Sequence, residues 1–216
     1  MPMIRETIVT TIDAGGRVHV APLGIIAEGE RWILAPFRPS KTLDNLRAVP
    51  FAVANHTDDV RIYAGCLTGR RDWATVACEE TPAPRLKDCL AHMSLRVVEV
   101  GEDEMRPRFR CEVVRSVSHA PFAGFNRAQA AVIEAAILAS RLHLLPRDKI
   151  EREIAALEIV VGKTAGPNEQ MAWNWLRSKF DAHFAAIDAA AQGGIAKTTR
   201  VIPAKAVSSR GDIKRA

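Results

Sequence analysis

The sequence predicts an α+β protein in which the strands come first and the helices last. Three observations carry that prediction. Up to about residue 120 the chain holds short runs rich in Ile, Val and Thr, divided by Gly and Pro turn signals. From Asn126 onward its apolar residues recur at helical spacing. Hydrophobic residues make up 48% of the 216 residues and charged residues 25%, the balance of a globular chain with material for a core.

The strands read as follows. Ile4 to Asp13 alternates and ends at a hairpin signal, Ala14-Gly15-Gly16-Arg17. Val18 to Ala27 is a second strand, interrupted by Pro22 and Gly24, which mark an edge, a bulge or a close approach by another group. A turn at Glu28-Gly29 leads to a third strand, Trp32 to Phe37. Lys41 to Ala48 is a short helix stopped by Pro50, and Phe51 to Asn55 is a fourth strand. Val60 to Leu67 fits a helical turn opened by Asp58-Asp59, and Glu79 to Pro84 a loop. Leu90 to Val100 and Phe109 to Val117 are longer strands around a charged turn, Gly101 to Pro107.

The helical part follows. Asn126 caps a helix to about Leu145, ended by Pro146, with Val132, Ile133, Ala136 and Ile137 as its apolar face. A second helix uses Ile150, Ile154, Leu157 and Val161 and stops at Gly162. A third begins at Pro167, with Trp173, Leu176, Phe180, Phe184 and Ile187 as a packing stripe. Gly193-Gly194 opens a tail, so the expected divisions are 1–120, 121–192 and 193–216.

Charge narrows the partners. Residues 197–216 carry six basic residues against the single acid Asp212, a surplus of five that equals the formal charge of +5 for the whole chain. The rest is close to neutral. A basic tail with few apolar anchors reads as disordered and solubilising, with binding to an acidic partner, RNA or a membrane surface as the alternative, and no aromatic side chains interleave its cations, which weakens a nucleic-acid role. No apolar run reaches the roughly 18 residues of a membrane span. The N-terminus lacks a signal-peptide pattern, so the cytoplasm is the expected compartment.

Cys66, Cys78, Cys89 and Cys111 form no CxxC pair, and no Cys/His group has zinc spacing, so no metal is expected. The thiols read as reduced and structural, with a redox role for Cys66 or Cys78 as the alternative. His19 and His56 sit on strands and read as structural, with donation to a bound ring as the alternative. No Ser/His/Asp set or HExxH is present, which leaves hydrolysis without support.

The segment that carries chemistry is Leu34-Ala35-Pro36-Phe37-Arg38-Pro39-Ser40-Lys41-Thr42-Leu43-Asp44-Asn45-Leu46. A strand feeds a helix whose first residues are Ser, Lys and Thr. Unpaired N–H groups and a partial positive charge make such a helix start an anion site. Ser40 and Thr42 add hydroxyls, Lys41 adds a charge, and Arg38 lies just before the turn. The same pattern also fits an ordinary cap at Ser40 with Lys41 facing water.

Flavin-reductase-like, FMN-binding split-barrel proteins carry a strand, then Ser, then Lys-(Asp)-Thr, then Asn-Ile/Leu. Ser40-Lys41-Thr42-Leu43-Asp44-Asn45-Leu46 resembles that pattern, without the extra Asp, and Val20-Ala21-Pro22-Leu23-Gly24 resembles their second strand. The narrower resemblance is to the DUF447 family. Its helical part opens with a phrase similar to Pro121-Phe122-Ala123-Gly124-Phe125-Asn126-Arg127-Ala128, followed by Ala131-Val132-Ile133-Glu134-Ala135. The resemblance spans roughly residues 5–190. It implies an antiparallel, Greek-key-type split β-barrel with a C-terminal helical appendage. It also implies noncovalent FMN at or near a homodimer interface.

By that resemblance Ser40, Lys41 and Thr42 contact the phosphate, and Asn45 the phosphate or ribityl chain. The backbone of Ala35, Pro36 and Phe37 lies along the ring, and Arg38 approaches the phosphate or the ring. Asn126 and Arg127 are either a helix cap with a solvated arginine or part of the flavin or substrate pocket. The implied activity is that of an FMN-dependent oxidoreductase of unidentified substrate. The alternative is a non-catalytic flavin or pterin carrier linked to one-carbon cofactor metabolism.

Overall fold

The computed structural model describes residues 2–196. Eight strands and five helices are described. The strands are β1 (Ile4–Ile12), β2 (Val18–Glu28), β3 (Arg31–Leu34), β4 (Phe51–His56), β5 (Thr75–Val76), β6 (Arg85–Leu86), β7 (Ala91–Gly101) and β8 (Arg108–Ser118). The helices are α1 (Lys41–Ala48), α2 (Val60–Leu67), α3 (Arg127–Ser140), α4 (Arg147–Thr164) and α5 (Pro167–Ala196). The chain divides into two compact units at Phe180. In the second, the described part is the remainder of α5 from Asp181.

Six strands close into an antiparallel barrel in the order β1-β2-β3-β8-β7-β4, and β4 returns to β1. The order β4-β1-β2-β3 within it is a Greek key. The expected α+β split barrel with appended helices is therefore the fold. β1 and β2 pair in unbroken register from Ile4↔Ile26 to Ile12↔Val18. Pro22 and Gly24 sit within that register, so they mark an edge and not a bulge, and Gly24 also allows a close approach, since a Cβ there would stand 2.9 Å from Ile4 Cγ2.

Period-two geometry puts Val9 and Ile25 inside the barrel, where they join Leu34, Ala52, Ala54, Leu95, Phe109 and Cys111. The opposite face of β1 is buried as well: Ile8, Thr10 and Ile12 are covered from outside. Ile12 packs with Val53 and Ala83, and Thr10 Oγ1 donates to the Pro84 carbonyl. Asn55 staples these layers. Its Nδ2 donates to Ile8 O at 2.9 Å and its Oδ1 accepts from Leu86 N–H at 2.7 Å.

α1 closes one end of the barrel. Leu43 and Leu46 enter the interior cluster, each burial contributing about 1.5–3 kcal/mol. α2 lies against β2, and α3 packs on α2 and α4 through a face rich in alanine: Ala128, Ala131, Ala135, Ala136 and Ala139 are buried.

Several boundaries differ from the sequence reading. β3 ends at Leu34, so Ala35–Phe37 is not strand. α3 ends at Ser140, because Arg141 leaves the helical region and Leu144, with nothing to pack on, is exposed. α4 runs through Gly162 to Thr164, whose hydroxyl donates to Val160 O and whose carbonyl accepts from Asn126, so the roughly 1 kcal/mol that a helical glycine costs does not end it. α5 continues through Gly193-Gly194 to Ala196. Its stripe is buried at Trp173, Leu176 and Phe180, half-buried at Phe184 and exposed at Ile187. The tail expected from 193 lies outside the described residues beyond 196. No described helix is long and apolar enough to cross a membrane.

Candidate functional site

The first turn of α1 is a capped helix start with open N–H groups. Ser40, in extended conformation, caps the helix, and its Oγ accepts from Leu43 N–H at 3.3 Å. Asp44 N–H is bonded to Ser40 O. That leaves the N–H groups of Lys41 and Thr42 without a partner among the described residues, as the first turn of a helix requires. Thr42 is buried and Lys41 exposed. Lys41 Nζ lies 3.6 Å from Asp13 Oδ2. The Asp13 carboxyl is held below its usual range, chiefly by the Arg17 N–H, so it stays charged beside Lys41.

Asn45 lies one turn further on and is 1% exposed. Its Nδ2 donates to Thr11 Oγ1 at 2.9 Å, and its Oδ1 is buried without a partner. Turning the amide over would strand its nitrogen instead, so the fold leaves one polar atom of Asn45 unmet either way. A buried unsatisfied group of this kind costs about 1–3 kcal/mol.

From this turn an open strand edge leads to a cavity. β2 pairs with β1 from Val18 to Ile26 but with β3 only from Ile26 to Glu28. The stretch Val18–Ile25 therefore has an edge that no barrel strand pairs. The chain leaving β3 is held to the β7–β8 turn, Arg38 N–H donating to Met105 O at 2.8 Å, and its Phe37 lines one cavity with Pro22, Leu23 and Gly24 of this edge. At about 3.3 Å per residue, Leu23 and His19 are about 13 Å apart along the strand. His19 pairs with Thr11, which holds Asn45, whereas Leu23 lines a cavity of about 270 Å³.

Phe37 and Arg106 form one wall of that cavity. Arg106 donates to Ala35 O through Nε (3.0 Å) and Nη2 (2.8 Å), and its guanidinium lies 4.4 Å from the Phe37 ring centroid. Tyr63, Ile133 and Ile137 close the far side from α2 and α3. Two groups there titrate abnormally. Burial, and after it the charge of Glu134, pushes the Glu6 carboxyl up. Burial, and after it the charge of Glu6, pushes the Tyr63 phenol up.

The structure thus brings Ser40, Lys41, Thr42 and Asn45 together, with Ala35, Pro36 and Phe37 on the approach to the cavity. Arg38 is placed elsewhere: it pairs with Glu102 at 3.1 Å, and Glu102 also holds Arg47. Asn126 spends its side chain on capping, accepting from Ala128 N–H at 2.8 Å and donating to Thr164 O at 3.1 Å. Arg127 is exposed beside it. The Cys66 thiol is buried, donates to Val20 O, and is pushed up to about 11 by burial, which makes it an inert packing group. Sequence reading missed Arg106 and Arg71. Arg106 sat in a turn with no local signal. Arg71 and Lys41 both lower the His19 pKa, after burial, which places positive charge around the helix start.

Comparison with known proteins adds the following. The fold is similar to the crystal structure of an FMN-bound protein of Methanosarcina mazei, described under the DUF447 family, with a TM-score of 0.71 and 21% identity, covering 82% of this chain and 94% of that one. Weaker similarity is found to the 2-nitrobenzoate 2-nitroreductase of Pseudomonas fluorescens (TM-score 0.46, 17% identity, 55% and 64% covered). The NADH:FAD oxidoreductase of Streptomyces globisporus is comparable (TM-score 0.46, 14% identity, 55% and 72% covered). No curated protein matches the chain. The model of the DUF447 N-terminal domain matches residues 5–120 and that of the DUF447 protein of unknown function matches residues 126–178, so the chain belongs to the DUF447 family.

Proposed function

We propose that the chain binds FMN and works as a flavin-dependent oxidoreductase. The observation that carries the binding is the start of α1. Two open N–H groups, the Lys41 ammonium, the buried Thr42 and the unmet amide atom of Asn45 converge there. A dianionic phosphate answers the first three, and a ribityl hydroxyl or phosphate oxygen answers the fourth, in whichever orientation the amide adopts. Ser40, Lys41 and Thr42 would hold the phosphate and Asn45 the phosphate or ribityl chain. Ala35–Phe37, Leu23 and Arg106 would line the ring side. The Methanosarcina relative of the same family, solved with FMN bound, supports the same ligand.

The flavin, when bound, would supply two-electron chemistry. The chain supplies the rest. Arg106 holds a positive charge on the cavity wall, fixed by the Ala35 carbonyl and the Phe37 ring. Glu6 keeps its proton to higher pH than a solvated carboxyl, which gives the apolar cavity a proton donor. The largely apolar walls from β2, α2 and α3 suit a small substrate with an apolar face.

A second copy of the chain belongs to this reading. Val98, Val100, Val113 and Val114 are exposed on the two faces of the β7–β8 ribbon, apolar side chains that a homodimer would cover. Light scattering during gel filtration is expected to give twice the chain mass, and a monomer at all concentrations would remove the dimer.

Titration of the purified chain with FMN, read by quenching of flavin fluorescence, tests the binding; one FMN per chain is expected. Anaerobic mixing of the loaded protein with NADH or NADPH tests the activity. Bleaching of the flavin supports a reductase. Failure of both donors removes the reductase while leaving the binding intact.

A further inference from the structure

The geometry points to a metal site, for an ion of the zinc class, formed by Cys89, His92 and His119 at the end of the β7–β8 ribbon farthest from its turn. A ligand atom of each of the three lies within 4.8 Å of those of the other two. His92 Nδ1 and His119 Nε2 are 2.9 Å apart. Bonds of about 2.0–2.1 Å to nitrogen and about 2.3 Å to sulfur put two imidazole nitrogens of one tetrahedral ion about 3.3 Å apart, and sulfur about 3.6 Å from each nitrogen. The nitrogens are within a few tenths of an ångström of that spacing, and the Cys89 thiol, which donates to Leu86 O at 3.2 Å, would give up that bond to bind the ion as thiolate.

The backbone holds all three residues in place. His92 pairs with Val117 in the β7–β8 ladder, two residues before His119. The N–H groups of His119 and Ala120 both donate to Leu90 O, and Leu90 N–H donates to His56 O. Leu90 is thus clamped at both its N–H and its carbonyl, which fixes Cys89 before it and His119 against it. A site on ladder-bonded backbone is preorganised, since little chain entropy is lost on binding.

The donor set also has an outer shell and an entrance. His92 Nε2, on the side of the ring away from His119, lies 3.9 Å from Cys78 Sγ. That is the place of the outer partner that fixes the tautomer of a metal-bound imidazole. Cys89 and His92 are buried and His119 is exposed, which gives an ion a path from solvent. Thiolate with imidazole favours zinc and its neighbours over calcium or magnesium, and three protein ligands leave a fourth position for water or a small anion. Arg85 and Arg115 act on His92, but both guanidiniums are engaged, Arg85 with Leu86 O and Lys87 O and Arg115 with Glu80. Sequence reading found no Cys/His group of zinc spacing, because the third ligand, 27 residues on from His92, joins Cys89 and His92 only once the ribbon is formed.

The test is an anaerobic cobalt(II) titration of the full chain after chelator treatment. It is read in the red, where tetrahedral cobalt absorbs and flavin does not. One cobalt per chain with a strong red band, bleached by one equivalent of zinc, is expected. Zinc should also raise the melting temperature. His119→Ala, at an exposed position that leaves the fold intact, should weaken binding on the order of 100-fold or more, beyond the 10–100-fold typical of outer-shell changes. Cys89→Ser should lose the band, and Cys78→Ser should keep it with roughly tenfold weaker binding. A folded wild-type chain without the band overturns the site, as does a band that survives both His119→Ala and Cys89→Ser.

Discussion

Two buried asparagines show how differently one residue type is used in this barrel. Asn55 meets its hydrogen-bonding capacity inside the fold, bridging β1, β4 and β6. Asn55→Ala strands the Leu86 N–H and the Ile8 carbonyl, and each stranded group costs about 1–3 kcal/mol. Chemical denaturation should show that loss, with FMN affinity near wild type once the protein is folded. Asn45 has one polar atom unmet, so its removal costs the fold less. Asn45→Ala should lower FMN affinity about tenfold or more, while the apoprotein loses less stability than Asn55→Ala does. The reverse ranking of the two variants would make Asn45 a structural residue. Ser40, Lys41, Thr42 and Asn45 were legible because a capped helix start is a local pattern. Arg106 was not, because its place on the cavity wall depends on a hairpin that returns 71 residues after Ala35.

At the level of elements, the short β3 does most to create the site. By ending at Leu34 it leaves the edge of β2 unpaired and releases Ala35–Phe37 to line it. A continuous apolar run reaches Phe37, so sequence alone extends the strand; the strand stops because Pro36 has no N–H to give a ladder and Arg106 takes the Ala35 carbonyl. A contact distant in sequence likewise overrides a local signal in α4, where Gly162 looks like a stop but Thr164, bonded to Asn126, keeps the helix going. α2 is positioned by a close approach: a Cβ at Gly65 would collide with the Trp73 ring. Gly65→Ala should cost about 1–3 kcal/mol through overpacking. Because α2 supplies Tyr63 to the cavity, the variant should also disturb any ligand there; thermal melting and FMN titration together read both effects.

For the whole molecule, strand order was the least legible feature, since pairing β1 with β4 and β3 with β8 closes loops that leave no local trace. The alternation of strands, the helix caps and the family motifs were local and were read correctly in kind. Burial also sets a pH dependence. The pKa values of His19 and His56 are both lowered, chiefly by burial, so the unfolded chain takes up protons near pH 6.5 that the fold resists. Their contribution is full above about pH 6.5 and is lost as pH falls through the folded values. Glu6, with its raised pKa, acts in the opposite sense, lowering stability as pH rises from about 4.5 to its folded value. Melting temperatures should therefore fall from pH 7.5 to 5.5, and His56→Asn should flatten that fall. The central claim is that α1 holds a flavin phosphate, and it is tested most directly by comparing FMN with riboflavin, which lacks the phosphate. The wild-type chain should bind FMN far more tightly, and the Lys41→Ala/Thr42→Ala variant should lose at least about 100-fold in FMN affinity with riboflavin binding little changed. Equal affinity of the wild type for both ligands, or a double variant that binds FMN as the wild type does, would contradict it.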